Sequence, residues 1–114
     1  MLLPKEVARL VVEALDSKNG QEIKALRIEE LTVLANYFVI CTATSTTQIK
    51  TLADEVEKVL EENGEIPKKR EGYRDGGWIL IDFGCVVVHL FLEEARAFYQ
   101  LERLWSDAVE EQLI

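Results

Sequence analysis

Residues 35–60 read ANYFVICTATSTTQIKTLADEVEKVL, and the fold turns on how the middle of that stretch is taken. Tyr37 to Ala43 is apolar at odd and even positions alike, the pattern of an interior strand covered above and below. Ser45 follows, with Gln48 three residues on. That is capping-box spacing, in which the hydroxyl accepts from the third backbone amide and Gln48 reaches back to the cap. Ile49, Leu52, Ala53, Val56, Val59 and Leu60 then recur at the helical period, and Asn63-Gly64 supplies a left-handed stop. The hydroxyl cluster between strand and helix has two readings. Thr42 to Thr47 is either a phosphate cradle or the cap that starts a helix.

Working outward, Pro4 and the face Val7, Leu10, Val11, Ala14 and Leu15 predict a first helix, ended by Asn19-Gly20. Glu22 to Ile28 alternates Ile23 and Ala25 against Lys24, Leu26 and Ile28, a strand, and residues 29–36 connect it to the interior strand. Beyond the second helix, Ile66 to Arg70 reads as a short basic edge strand. Trp78 to Asp82 and Cys85 to Phe91 flank Phe83-Gly84 as a two-residue hairpin. From Glu93 onward the chain reads as helix, with Phe98, Leu101, Leu104, Trp105 and Ala108 on its apolar side. The order predicts a single α/β domain over residues 1–114, with a mixed sheet of about five strands flanked by helices. The interior strand, the second helix and a parallel partner fit one right-handed crossover.

The 114 residues suffice for one core, and 48% hydrophobic with 30% charged residues is ordinary for a folded soluble protein. The start MLLPKEVARL places Lys5, Glu6 and Arg9 where a secretory signal needs an unbroken apolar run, and no later stretch reaches membrane-spanning length. A cytoplasmic protein with no membrane partner is expected. Cys41 and Cys85 read as two reduced core thiols. The net charge of −8 repels nucleic-acid backbone at long range, so no direct sequence-specific nucleic-acid binding is expected. Lys68, Lys69, Arg70 and Arg74 read as a solvated edge.

Catalytic readings of these residues are poorly furnished. A Walker-type loop needs glycines, so that backbone amides close on phosphate oxygens, and then Lys-Ser/Thr. TATSTTQ has neither. Nucleotidyl transfer needs carboxylates converging on magnesium, and the strands after the second helix offer only Asp82. With the turn at Phe83-Gly84, Asp82 faces Cys85, Leu80 faces Val87 and Trp78 faces His89. Asp82 and His89 then lie roughly 13 Å apart at about 3.3 Å per residue, too far for a dyad. The same hairpin puts Trp78, Leu80, Asp82, Cys85, Val87, His89 and Phe91 on one face and the wholly apolar Ile79, Ile81, Val86, Val88 and Leu90 on the other. Trp78 and Tyr99, with Arg96 and Arg103 nearby, are the residue types that dominate protein interfaces. No catalytic residue, cofactor or metal ligand is expected.

The stretches NYFVICTATSTTQIKTLADEVEKVL, REGYRDGGWILIDFGCVVVHLF and EEARAFYQLERLWSDA resemble the ribosomal silencing factor family, also called Iojap-like, and the match runs from about residue 4 to residue 108. The resemblance implies a nucleotidyltransferase-like fold without catalytic carboxylates, and a translational repressor in place of an enzyme. It implies docking on the large ribosomal subunit through its ribosomal protein fourteen, where the small subunit would join, when nutrients are limiting. The residues carried over as partner-facing are Trp78, Arg96, Tyr99, Leu101 and Glu102. A homodimer is common in the family, though no sequence feature here settles it. Ala43 stands where the family usually has glycine and Cys85 where aspartate is usual. The first weakens a phosphate role and the second makes the docking face slightly more apolar. Two rivals follow from the same residues. One is a magnesium-dependent nucleotidyltransferase using the Thr42 to Thr47 turn and Asp82, and the other a dimerisation module pairing through its aromatic face.

Overall fold

A computed structural model describes residues 2–74, 77–95 and 108–113. Its elements in chain order are helix α1 (Pro4–Ser17), strands β1 (Gln21–Arg27) and β2 (Tyr37–Ala43), helix α2 (Thr46–Glu62), and strands β3 (Lys69–Glu71), β4 (Trp78–Asp82), β5 (Val86–Leu92) and β6 (Val109–Glu111). The strands form one mixed sheet in the order β3-β4-β5-β2-β1-β6. Only β2 and β5 pair in parallel among these strands, and every other pairing is antiparallel. Six strands among the described residues bear out the expected mixed sheet of about five. Val109–Glu111, expected as the continuation of a helix, instead pairs with β1. Ala108 precedes that strand at a bend, and the chain is helical at residues 93–95.

All seven residues of β2 are buried, as a central strand covered on both faces requires. Tyr37, Val39, Cys41 and Ala43 meet Val86, Val88 and Leu90 of β5, Ile79 and Ile81 of β4, and the apolar sides of both helices. Phe38 and Ile40 point the other way, into a second cluster with Leu26, Ile28, Ala35 and Phe91. Trp78, Val87, Ala95 and Ala108 pack around that cluster. The division of β4 and β5 into a helix-facing apolar side and a side carrying Trp78 and His89 therefore holds.

Both helices end in the same way. Gly20 N–H donates to Leu15 O and Asn19 N–H to Asp16 O, while Glu65 N–H donates to Leu60 O and Gly64 N–H to Glu61 O. These are Schellman closures, with Asn19 (φ 63°) and Gly64 (φ 84°) in the left-handed position. Gly20 is needed for a different reason. A Cβ there would lie 2.6 Å from Cys41 Sγ and 3.0 Å from Leu15 O. Gly20→Ala should therefore cost about 1–3 kcal/mol through overpacking, read as a lowered urea midpoint at unchanged slope. An unchanged midpoint would mean that Cys41 yields freely.

The hairpin differs from expectation in register. Trp78 lies opposite Phe91, Leu80 opposite His89 and Asp82 opposite Val87, and Phe83 N–H donates to Val86 O. The loop is thus Gly84-Cys85, two positions' difference in pairing that leaves the paired side chains on their expected faces, whereas Cys85, expected on the Trp78 face, packs against the helix-side cluster. Gly84 at φ 90° opens the loop, as a type II′ turn demands of its first central residue. Cys85 consequently sits half-exposed in a turn, whereas Cys41 is buried. The expectation of two core thiols holds for Cys41 alone. The basic edge strand is shorter than Ile66 to Arg70, and its three residues are all exposed.

Candidate functional site

The Thr42 to Thr47 turn is occupied by the needs of the fold. Ser45 Oγ accepts from Gln48 N–H at 3.0 Å, the expected cap. The reciprocal arm lands one residue earlier than a capping box prescribes. Gln48 Oε1 accepts from Thr44 N–H at 2.7 Å and from Thr44 Oγ1 at 2.9 Å. The Gln48 amide nitrogen then donates to Asn19 O at 3.1 Å and Lys18 O at 3.4 Å, tying the start of α2 to the end of α1. One glutamine thus serves both helix termini. Spacing alone reveals the cap but not this second task.

Asp82 is similarly engaged, since its carboxylate accepts from Gly84 N–H at 2.7 Å and so shapes the hairpin turn. In the observed register Asp82 is displaced from His89 by two residues along the ladder, roughly 7 Å at about 3.3 Å each. That corrects the earlier separation of roughly 13 Å. The two still form no dyad, because the Asp82 carboxylate closes the turn and His89 Nδ1 accepts from Trp78. Among the described residues no three His, Cys, Asp or Glu side chains are grouped to hold a metal ion.

The second face of the sheet carries an aromatic cluster. Trp78 from β4, His89 and Phe91 from β5, and Phe38 from β2 converge there because the pleat sends all four to one side. The Trp78 and Phe91 ring centres are 5.0 Å apart. His89 meets Phe38 edge-on at 4.9 Å and lies parallel to Phe91 at 6.2 Å. Trp78 Nε1–H donates to His89 Nδ1 at 3.3 Å. An indole nitrogen can only donate, so Nδ1 is the acceptor and the proton of the neutral imidazole sits on Nε2. His89 is 5% exposed, and Nε2 has no hydrogen-bond partner among the described residues. Burial pushes the His89 pKa down from 6.5 to about 4, so the ring is neutral at neutral pH. Trp78 is half-buried, more embedded than a free surface anchor. The carried-over residues Arg96, Tyr99, Leu101 and Glu102, with Phe98, Arg103, Leu104 and Trp105, lie outside the described residues.

Two polar groupings complete the surface. At the β3 edge, Arg70 pairs with Glu57 at 2.6 Å and Lys69 with Glu71 at 3.5 Å. Tyr73 hydrogen-bonds Asp54, with the Arg70 guanidinium 4.5 Å above its ring. This basic strip is thus partly neutralised by its own neighbours. At the opposite edge, Glu111 accepts from Tyr37 Oη at 3.2 Å and pairs with Arg27 at 3.1 Å and Lys5 at 3.8 Å. Burial first, then the charge and hydrogen bond of Glu111, push the Tyr37 phenol up to about 12. That cluster fastens β6 to β1, and nothing in the sequence around VEE announces it. A cleft of about 430 Å³ between α1, β1 and β6, lined in part by Asp16, Lys24 and Glu110, holds none of the aromatic residues.

Comparison with known proteins matches residues 3–113 to the family "Ribosomal silencing factor during starvation". The ribosomal silencing factor RsfS of Halalkalibacterium halodurans is 41% identical over 104 residues, covering 91% of this chain and 89% of that protein. The RsfS of Bacillus subtilis is 39% identical, covering 91% and 88% respectively. A crystal structure of a Chromobacterium violaceum protein superposes with a TM-score of 0.90 at 36% identity, covering 92% of this chain and 88% of that one.

Proposed function

Since the chain belongs to the ribosomal silencing factor family, we propose that it represses translation by docking on the large ribosomal subunit and sterically blocking the small subunit from joining. The partner surface is ribosomal protein fourteen, and the setting is nutrient limitation in the cytoplasm. The observation that carries this reading is the family match across residues 3–113, supported by an aromatic face of the kind that anchors protein interfaces. Trp78 is the described member of that docking face, and Arg96, Tyr99, Leu101 and Glu102 are its remaining members. The groups a nucleotidyltransferase would use favour the same conclusion. Ser45, Thr44 and Gln48 cap and staple helices, and Asp82 holds a turn. Among the described residues no helix is long and apolar enough to cross a membrane.

Co-sedimentation with isolated ribosomal subunits tests the proposal. The purified chain should pellet with large subunits and stay in solution with small ones. Its net charge of −8 points to a protein contact, so binding should fall only modestly as salt rises. A slope equivalent to about six or more released counterions would instead identify ribosomal RNA as the main contact. Failure to pellet with large subunits would overturn the silencing mechanism.

A further inference from the structure

We propose that His89 is the positioning residue of the docking face: by accepting the only hydrogen bond the Trp78 indole can donate, it fixes the indole and leaves the partner an apolar ring to recognise. The inference rests on the functional reading above and adds the chemistry by which Trp78 is read.

The argument begins with donors. An indole has one N–H and no acceptor, and here that N–H is directed onto Nδ1 of a histidine that is 5% exposed. A partner surface meeting Trp78 therefore finds no hydrogen-bond donor on it. What remains is ring area, which suits an apolar or cationic slot on a protein and not a carbonyl, carboxylate or phosphate oxygen seeking a donor. The histidine is itself immobilised. Phe38 abuts it edge-on at 4.9 Å and Phe91 lies parallel to it, 6.2 Å away, while β5 pairs on both sides with β4 and β2. The contact is diagonal, since Leu80 lies directly opposite His89 and Trp78 opposite Phe91. The indole leans back across the ladder to reach its acceptor. The arrangement also carries a cost that favours a positioning role over simple core filling. Holding Nδ1 as an acceptor commits the proton to Nε2, a buried donor with no partner among the described residues. A leucine or phenylalanine would fill that space without it.

Three readouts separate this proposal from a merely structural role. The first uses the wild-type chain, so that folding of a variant is not at issue. Long-range nitrogen–proton correlation should show His89 protonated on Nε2, and the Trp78 indole proton, distinguished from that of Trp105 by a Trp105→Phe sample, should exchange slowly with solvent. A proton on Nδ1 would overturn the assignment outright. The second compares His89→Leu with His89→Gln, whose side-chain carbonyl can accept from an indole. In His89→Leu the Trp78 indole proton should lose its protection and affinity for large subunits should fall at least about tenfold. His89→Gln should recover most of both. A folded His89→Leu chain with an unchanged indole signal and unchanged affinity would overturn the proposal. The third asks what Trp78 is read by. Trp78→Phe, which keeps a ring but has no N–H, should bind more tightly than Trp78→Gln, which has donors but no ring, and the reverse order would overturn the apolar recognition. Should wild type fail to bind large subunits at all, the docking function falls, while the spectroscopic arm still decides whether His89 fixes the indole.

Discussion

Trp78→Ala should weaken binding to the large ribosomal subunit at least about thirtyfold, about 2 kcal/mol, if Trp78 is one of the few anchors that carry the interface. The truncation removes more than ring area at the partner. The ring that packs tilted against Phe91 at 5.0 Å is lost, and His89 Nδ1 is left without its donor. Because Trp78 is half-buried, the fold should lose stability as well, by about 2 kcal/mol from lost packing and an unsatisfied buried acceptor. The two losses are separable. Affinity is read by co-sedimentation under conditions where circular dichroism shows the variant folded, and stability by urea unfolding of the free chain. A folded Trp78→Ala chain that binds as tightly as wild type would remove this residue from the docking face, whatever its effect on stability.

Acid should destabilise the protein through His89. Its pKa is held at about 4 in the folded chain by burial and returns to about 6.5 on unfolding. The unfolded chain therefore takes up this proton first. The stability of the neutral, buried ring is fully present above about pH 6.5, declines as pH falls, and is gone below about pH 4. The difference is worth roughly 3 kcal/mol. Carboxylates also titrate near the lower end of that window, so the informative quantity is a difference between two proteins. Urea unfolding of wild type and His89→Leu from pH 7 to pH 4 should give curves whose slopes against pH differ by about one proton between pH 6.5 and pH 4. Parallel curves would mean that His89 is not held neutral.

The parts of this fold that were legible in the sequence are those where burial leaves a composition. β2 could be read because every one of its residues is buried, and α2 because Ser45 and the spacing of Ile49, Leu52, Ala53, Val56 and Leu60 agree. The hairpin register could not be taken from hydrophobic pattern. Two pairings that differ by two residues send the same side chains to the same faces. The deciding signal was local: only Gly84 tolerates φ near 90°, so the glycine must open the loop and not close it. β6 gave no signal at all. Val109 and Glu110 are exposed, and the strand is held by backbone pairing with β1 and by Glu111, whose partners Tyr37, Arg27 and Lys5 come from three distant parts of the chain. The candidate site was legible as residue types, since Trp78 stood out as an interface residue. Its proximity to His89 was legible too, as a directly opposed pair, but the diagonal geometry of their hydrogen bond was not, because it exists only once the register is known.

The parallel pairing of β2 with β5 bears on how the chain is made. Parallel neighbours cannot be joined by a tight turn, and here α2, β3 and β4 all intervene between them. The aromatic face takes Phe38 from before that excursion and His89 and Phe91 from after it. These contacts are long-range in sequence, which places their formation late, after the local helices and turns have had time to form. A growing chain that has reached only Cys85 carries both described helices and four of the six described strands, but neither the acceptor for the Trp78 indole nor the Phe91 ring it packs against. Most of the chain's own synthesis thus passes before its aromatic face can assemble.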